Sequence, residues 1–433
     1  MPDLFIRTIT FESGEQFPML IDRESGIPQF HPTVYQVSMR RSKGLATATL
    51  VRDLQAILFL YRWGQKNGID VEVRFRTHDF LSLHEIDSLA QEAWTPLDEV
   101  LGNAVKGAGP EVRQRSRTTL SRYRKKPKYQ KFKPVAPDTM GVRLAYVRDY
   151  LDWLALQRLS RLNKRSGDYA ALDSARQQMR QAIDARIPSG QGKGTGNPDG
   201  SQMGLDKSQQ KRLLEVIDPG SPENPWRGSH ARERNRLLTL ILLLLGLRRG
   251  EALGLKVADF DFQQATVTVH LSPDDIHDPR QQKPQAKTRA RLLGLSPELC
   301  RLCRDYVIKH RSRLSGVRLH PFLFVEGNGG APLSIPGCDT VFLSLRNKIP
   351  DMPRDFSAHT LRHTWNDRFS EKADELIRKG AWTIEDEKKA RTEAMGWEPS
   401  SGMAAVYARR HARERAREAL VEMQSALFGE TED

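Results

Sequence analysis

The sequence predicts a mainly α, multidomain protein. Its N-terminal part should be an all-helical domain rich in Lys and Arg. Its C-terminal part should be mixed α/β, mostly helical with a small antiparallel sheet. Three observations predict this. Apolar residues recur at helical spacing in successive segments, each bounded by turn signals. A glycine-rich stretch at 188–204 interrupts the pattern and leaves a part on each side long enough to bury its own core. Beyond it, Thr266, Val267, Thr268 and Val269 alternate polar with apolar, the period of a strand.

Taken in order, residues 1–38 read as an N-terminal extension with short strands, because Leu4 to Phe11 alternates and turn residues follow. A helical domain is expected over 39–187. Its first helix should start at a Ser42 cap and run through Trp63, with Leu50, Leu54, Ile57, Leu58 and Tyr61 as its apolar stripe and Asn67-Gly68 as its stop. Further helices are expected over 83–93, 140–161 and 170–186. Between them lies a basic insert, 110–135, in which Arg122, Arg124, Lys125, Lys126 and Lys128 alternate with Tyr123, Tyr129 and Phe132. Cations interleaved with aromatics suit a phosphate backbone and stacked bases; a solvated basic loop has the same composition.

Residues 205–433 form the second domain. Helices are expected over 208–217 and 231–245, the latter apolar enough at its end to be deeply buried. Strands follow at 260–262, 266–270 and 289–295, then an amphipathic helix over 296–310 and a short buried segment at 321–325. A long polar helical segment reaches Ala394, and a helix over 412–428 ends the chain with Ala412, Ala416, Leu420, Met423 and Leu427 on one face.

Composition narrows the function. Lys and Arg number 68 against 54 Asp and Glu, a net charge of +14, which points to nucleic acid more than to a membrane surface. The longest apolar run, 240–245, is far short of the ~20 residues of a membrane span. The N-terminus lacks a signal-peptide pattern, so a cytoplasmic, nucleoid-associated protein is expected. Three cysteines, Cys300, Cys303 and Cys338, argue against a disulfide scaffold. Cys300 and Cys303 have zinc-like spacing with His310 and His320 downstream, but Cys303 falls on the apolar face of its helix with Leu299, Leu302, Tyr306 and Val307, and no second close pair exists. No metal site is expected. The glycine-rich stretch resembles a phosphate loop only superficially, since Lys193 is followed by Gly194 rather than by Ser or Thr.

The chemistry-bearing stretch is Ser357 to Trp365. In a helix, His359, Arg362 and His363 share a face. A cation and imidazoles aimed at one point suit an anion whose charge grows during reaction, as a phosphodiester's does. A second unusual feature is Arg248-Arg249 directly after a buried helix, because buried cations need partners. Glu251 is the candidate partner, and register against it favours Arg248 over Arg249.

These residues, with others in order, resemble the tyrosine recombinases, also called phage integrases. The resemblance is carried by Gly246-Leu247-Arg248-x-x-Glu251-Ala252-Leu253-x-Leu255, Lys287-Thr288-x-x-Arg291, His359-Thr360-Leu361-Arg362-His363-Thr364, and Met395-Gly396-Trp397 ahead of Tyr407. There are three departures: Trp397 stands where most members have His, Gly294 replaces a common proline, and the segment between His363 and Gly396 is long. The resemblance implies a helical core-binding DNA domain followed by a tyrosine-recombinase catalytic domain. It implies Tyr407 as nucleophile forming a 3′-phosphotyrosyl link, Arg248 and Arg362 as phosphate ligands, Lys287 as general acid, His359 as base or hydrogen-bond donor, and Trp397 as a phosphate contact. Glu251 and His363 would brace the arginines, and 412–428 would be a docking helix. It further implies double-stranded DNA with specific recombination sites as partner, a homotetramer on that DNA, a mobile genetic element as source, and no cofactor. A type IB topoisomerase-like enzyme, or a non-catalytic DNA-binding protein on the same scaffold, remain the alternatives.

Overall fold

A computed structural model describes residues 3–100, 134–188, 204–270, 274–284, 288–398, 416–417 and 419–425. The chain divides into two compact units, Met1–Phe11 with Gln16–Gly200, and Glu12–Glu15 with Ser201–Asp433. Most of the basic insert and of the glycine-rich stretch fall outside the described residues.

The first unit opens with an antiparallel hairpin, β1 (Leu4–Thr10) and β2 (Gln16–Asp22), in which Leu4 faces Asp22 and Thr10 faces Gln16. Among the described residues, seven α-helices follow: α1 (Phe30–Tyr35), α2 (Thr47–Lys66), α3 (Val71–Arg76), α4 (Leu83–Glu92), α5 (Leu97–Val100), α6 (Pro137–Leu159) and α7 (Gly167–Asp184). The hairpin is no appendage. Leu4, Leu20 and Tyr35 join the same core as Leu54, Ile57, Trp63, Val147, Tyr150 and Leu151, so the helical domain does not begin at residue 39. The reason is that α2 is apolar nearly all round, with Leu54, Ile57, Leu58, Phe59 and Leu60 all buried, and one helical neighbour cannot cover it.

Ser42 does not cap α2. Its hydroxyl donates to the Ser38 carbonyl at 2.7 Å, closing the preceding turn, and α2 starts five residues later after Ala46. Elsewhere local chemistry sets the ends as sequence logic requires. Ser82 and Glu85 form a reciprocal capping box on α4, and the Ser166 hydroxyl accepts the Tyr169 N–H at the start of α7.

The second unit comprises α8 (Lys207–Ile217), α9 (Ser229–Leu245), α10 (Arg249–Gly254), β3 (Phe260–Asp261), β4 (Thr266–Val269), β5 (Arg291–Gly294), α11 (Pro297–Asp305), α12 (Ile335–Lys348), α13 (Ala358–Arg378) and α14 (Ile384–Met395). The sheet is antiparallel in the order β3-β4-β5. Leu237 to Leu243 of α9 are all buried, and α9 packs against α13 at the centre of this unit. The expected helix over 296–310 is regular only to Asp305; wider and then tighter turns carry it to Arg313. There Arg311 is buried and donates to the Phe322, Val317 and His320 carbonyls, so the helix end is bent to cover the 317–322 loop.

The long segment after His363 is two helices. Arg391 of α14, almost fully buried, clasps them: Nη2 donates to Ser370 Oγ at 2.7 Å and to Glu387, and the guanidinium lies 4.8 Å over the Phe369 ring. The clasp folds α14 back along α13, so the extra length is absorbed and the chain after α14 returns to the start of α13.

Candidate active site

The site is assembled from chain reversals rather than from one element. Gly246 ends α9 with φ of +63°, and a Cβ there would lie 2.7 Å from Met395 Cε and 2.8 Å from the Trp365 ring. Only glycine meets both demands. Its carbonyl accepts from Arg362 Nη1 at 2.6 Å, which ties the first arginine loop to α13. Two residues on, Arg248 caps α10: its backbone N–H donates to Glu251 Oε2 at 2.8 Å, and its Nη1 reaches Oε1 at 3.5 Å.

Glu251 is the hub. Its side chain is fully enclosed, yet three guanidinium groups converge on it. Arg291 from β5 donates Nη2 to Oε2 at 2.9 Å and Nη1 to Oε1 at 3.4 Å, and the Thr288 hydroxyl also donates to Oε1. Arg362 Nη1 lies 3.8 Å from Oε2. Burial alone would raise the carboxyl's pKa, but Arg291, Thr288 and Arg362 outweigh it and hold Glu251 below the ordinary carboxylate range. Three guanidinium charges against one carboxylate leave this cluster net positive.

His359 and His363 stand one turn apart on α13, rings edge-to-face with centroids 4.4 Å apart. His359 keeps a solvent-facing edge. The protein packed around it, and then the charges of Arg362 and Arg248, lower its pKa below the usual imidazole value, so it is neutral near pH 7. Trp397 is buried, with the Arg362 guanidinium 5.9 Å over its ring. Its position is set by β5 and its approach: Arg291 Nε donates to the Ala394 carbonyl at 2.8 Å, the Arg289 N–H to Gly396 O at 2.9 Å, and Arg289 Nε to Trp397 O at 3.2 Å. Gly396 has φ of +62°, and a Cβ there would lie 2.8 Å from Arg291 Nη1 and 2.9 Å from the Arg289 carbonyl.

Arg248, Glu251, His359, Arg362, His363 and Trp397 are therefore brought together. Arg248 keeps 30% of its side chain exposed whereas Arg362 keeps 2%, so an anion reaching the cluster meets Arg248 and His359 first. Arg249 is elsewhere: it is exposed and paired with Asp339. Lys287 and Tyr407 lie outside the described residues, as do Arg122, Arg124, Lys125, Lys126 and Lys128. Among the described residues no group of three or more His, Cys, Asp or Glu side chains could hold a metal ion. Cys303 is a core residue, its thiol pushed up to about 12 by burial.

Sequence reasoning gave no role to Arg291, Thr288 or Arg391. The signal for Arg291 was present: an arginine in a four-residue strand that must be half buried needs a carboxylate, and Glu251 was the candidate already in view. Nothing local marks Arg391, whose partners lie up to 25 residues away.

A cationic cluster braced by one buried carboxylate, beside a neutral imidazole and an indole, has the chemistry to hold a phosphate-like anion. Residues 204–379 match the model of the phage integrase family, so this stretch is similar to the tyrosine-type site-specific recombinases. Among solved structures, the Tn1549 transposon integrase in complex with circular intermediate DNA is 18% identical, over 63% of this chain and 75% of that one, with a TM-score of 0.40. The XerA recombinase is 18% identical over 63% and 83%, with a TM-score of 0.35. The integrase from mycobacterium phage Brujita is 14% identical over 87% and 98%, with a TM-score of 0.27. No curated protein matches the chain. Among the described residues, no helix is long and apolar enough to cross a membrane.

Proposed function

We propose that this protein is a site-specific DNA recombinase, encoded by a mobile genetic element, that cleaves and rejoins DNA through a 3′-phosphotyrosyl intermediate. The observation that carries the reading is the Glu251 hub, which holds Arg248 and Arg362 together beside a neutral His359. Arg248 and Arg362 bind non-bridging oxygens of one DNA phosphate and stabilise the charge of the pentacoordinate transition state. The Tyr407 oxygen attacks phosphorus and its proton passes to His359; a phenol of pKa ≈ 10 needs such a base and the nearby cations. The bond from phosphorus to the 5′-oxygen breaks, and Lys287 protonates the leaving oxygen. Trp397 donates Nε1–H to phosphate and moves no proton. Attack by a 5′-hydroxyl from a second strand reverses the step, and the bond energy retained in the tyrosyl ester drives rejoining. Double-stranded DNA carrying specific sites is the partner, with four copies of the chain on paired sites. The helical first unit and the basic insert, with Arg122, Arg124, Lys125, Lys126 and Lys128, hold the duplex.

The test uses nicked duplexes built from the DNA junctions that flank the gene. The chain should form an adduct that survives a denaturing gel, and Tyr407→Phe should abolish it. Adduct in the Tyr407→Phe variant, or none with any flanking junction, contradicts the proposal. Two-site plasmids should give recombinant product; relaxed circles alone would indicate a topoisomerase instead.

A further inference from the structure

We infer that Arg291 is a positioning residue for this site: by engaging Glu251 at close range it keeps the more exposed Arg248 available to the substrate phosphate. The inference rests on the recombinase reading for the identity of that phosphate.

Three arginines compete for one carboxylate, and the geometry ranks them. Arg291 has the shortest contact, 2.9 Å, and only 1% of its side chain is exposed. Arg248 stands at 3.5 Å and Arg362 at 3.8 Å, near the outer limit of direct pairing. Arg291 thus takes the largest share of the carboxylate, and Arg248, with 30% of its side chain exposed, takes less. Without Arg291, Glu251 would lose its nearest compensating charge while still buried. It would then draw Arg248 inward and cancel the charge meant for DNA.

Arg291 also sets register. Its Nε donates to the Ala394 carbonyl at 2.8 Å, its Nη1 to Thr288 Oγ1 at 3.2 Å, and its backbone pairs with Val269 in the sheet. One planar group therefore spans α10, the approach to β5 and the turn that carries Trp397. Thr288 directly follows Lys287 in the chain. A lysine cannot reproduce this, because a single ammonium lacks the fixed fork needed to bridge a carboxylate, a hydroxyl and a carbonyl together.

The experiment compares the full chain with Arg291→Met, Arg291→Lys, Glu251→Gln and the Glu251→Gln/Arg291→Met double variant, on a nicked duplex that the parent protein cleaves. Arg291→Met should bind that duplex as tightly as the parent but form adduct about 100-fold more slowly, the loss expected when a preorganised charge is misdirected. Arg291→Lys should recover only part of the rate. The double variant should be about 10-fold faster than Arg291→Met, because a neutral amide no longer pulls Arg248 away. Parent-like cleavage by Arg291→Met overturns the inference. So does a double variant no faster than Arg291→Met, which is what lost packing alone would give. If the parent forms no adduct on any duplex, the recombinase reading fails, and inorganic phosphate still tests Arg291. Phosphate should then raise the melting temperature of the parent and the double variant but not of Arg291→Met; an equal rise in all three overturns the inference.

Discussion

Each unit buries a carboxylate among arginines, with opposite results. Asp53 on α2 is 1% exposed, and it accepts from Arg40 Nε at 2.7 Å and Gln36 Nε2 at 3.1 Å. Burial outweighs that one guanidinium and one amide, and its pKa is pushed up to about 6. Glu251 is enclosed to the same degree, yet Arg291, the Thr288 hydroxyl and Arg362 hold it below the ordinary range. Burial is common to both, so the number of compensating donors decides the sign. The consequences also differ. Arg40 is consumed, since its other nitrogen bonds Asp149 at 3.1 Å and it serves as a strut between α2 and α6. The Glu251 cluster retains positive charge beyond what its carboxylate neutralises.

The comparison can be broken in graded steps. Glu251→Ala should have the largest effect. It leaves buried arginines without a counter-charge, and should lower unfolding stability by about 3–5 kcal/mol and abolish adduct formation. Denaturant titration of the isolated variant checks this. Arg362→Ala comes next: it should lose about 3 kcal/mol of transition-state stabilisation while duplex affinity stays unchanged, measured as adduct rate against binding. A loss of binding instead would show that Arg362 acts in assembly rather than in chemistry.

The pH response sharpens the contrast further. Asp53 titrates higher in the folded protein than in the unfolded chain, so its contribution is fully present below the unfolded value near 4 and is lost as pH rises through about 6. Glu251 is shifted the other way: its contribution is present at neutral pH and is lost only as pH falls below the ordinary carboxylate range. Lowering pH from 7 to 5 should therefore raise the stability of the parent relative to Asp53→Asn and leave the Glu251 contribution in place. Melting curves across that range test it; parallel pH profiles for parent and variant would contradict it. The smallest effect belongs to Arg249→Ala. Its pair with Asp339 is exposed on both sides, so stability should change by about 1 kcal/mol or less and cleavage not at all.

Much of this was legible in the sequence where the cause is local. The positions of α4 and α9 follow from helical spacing and β4 from alternation, whereas α7 starts at Gly167, behind the Ser166 cap, and not at the expected 170. The Ser42 cap failed because a competing local bond, to the Ser38 carbonyl, is equally short-range and invisible in spacing. The site was legible as a set of residue types but not as a mechanism of support. That Arg291 rather than Arg248 takes most of Glu251 depends on a strand forty residues away in the chain. The long segment after His363 looked like an anomaly, and only the Arg391 clasp explains how it returns Trp397 to the arginines.

The central claim is that side chains from α10, α13 and the Trp397 turn serve a single phosphate. A crystal structure of the chain with a cognate nicked duplex tests it most directly. One scissile phosphate should accept hydrogen bonds from both Arg248 and Arg362, with His359 and Trp397 in its contact shell and Arg291 still on Glu251. Arg248 and Arg362 bound to different phosphates, or turned inward on Glu251 with DNA in place, would contradict the account.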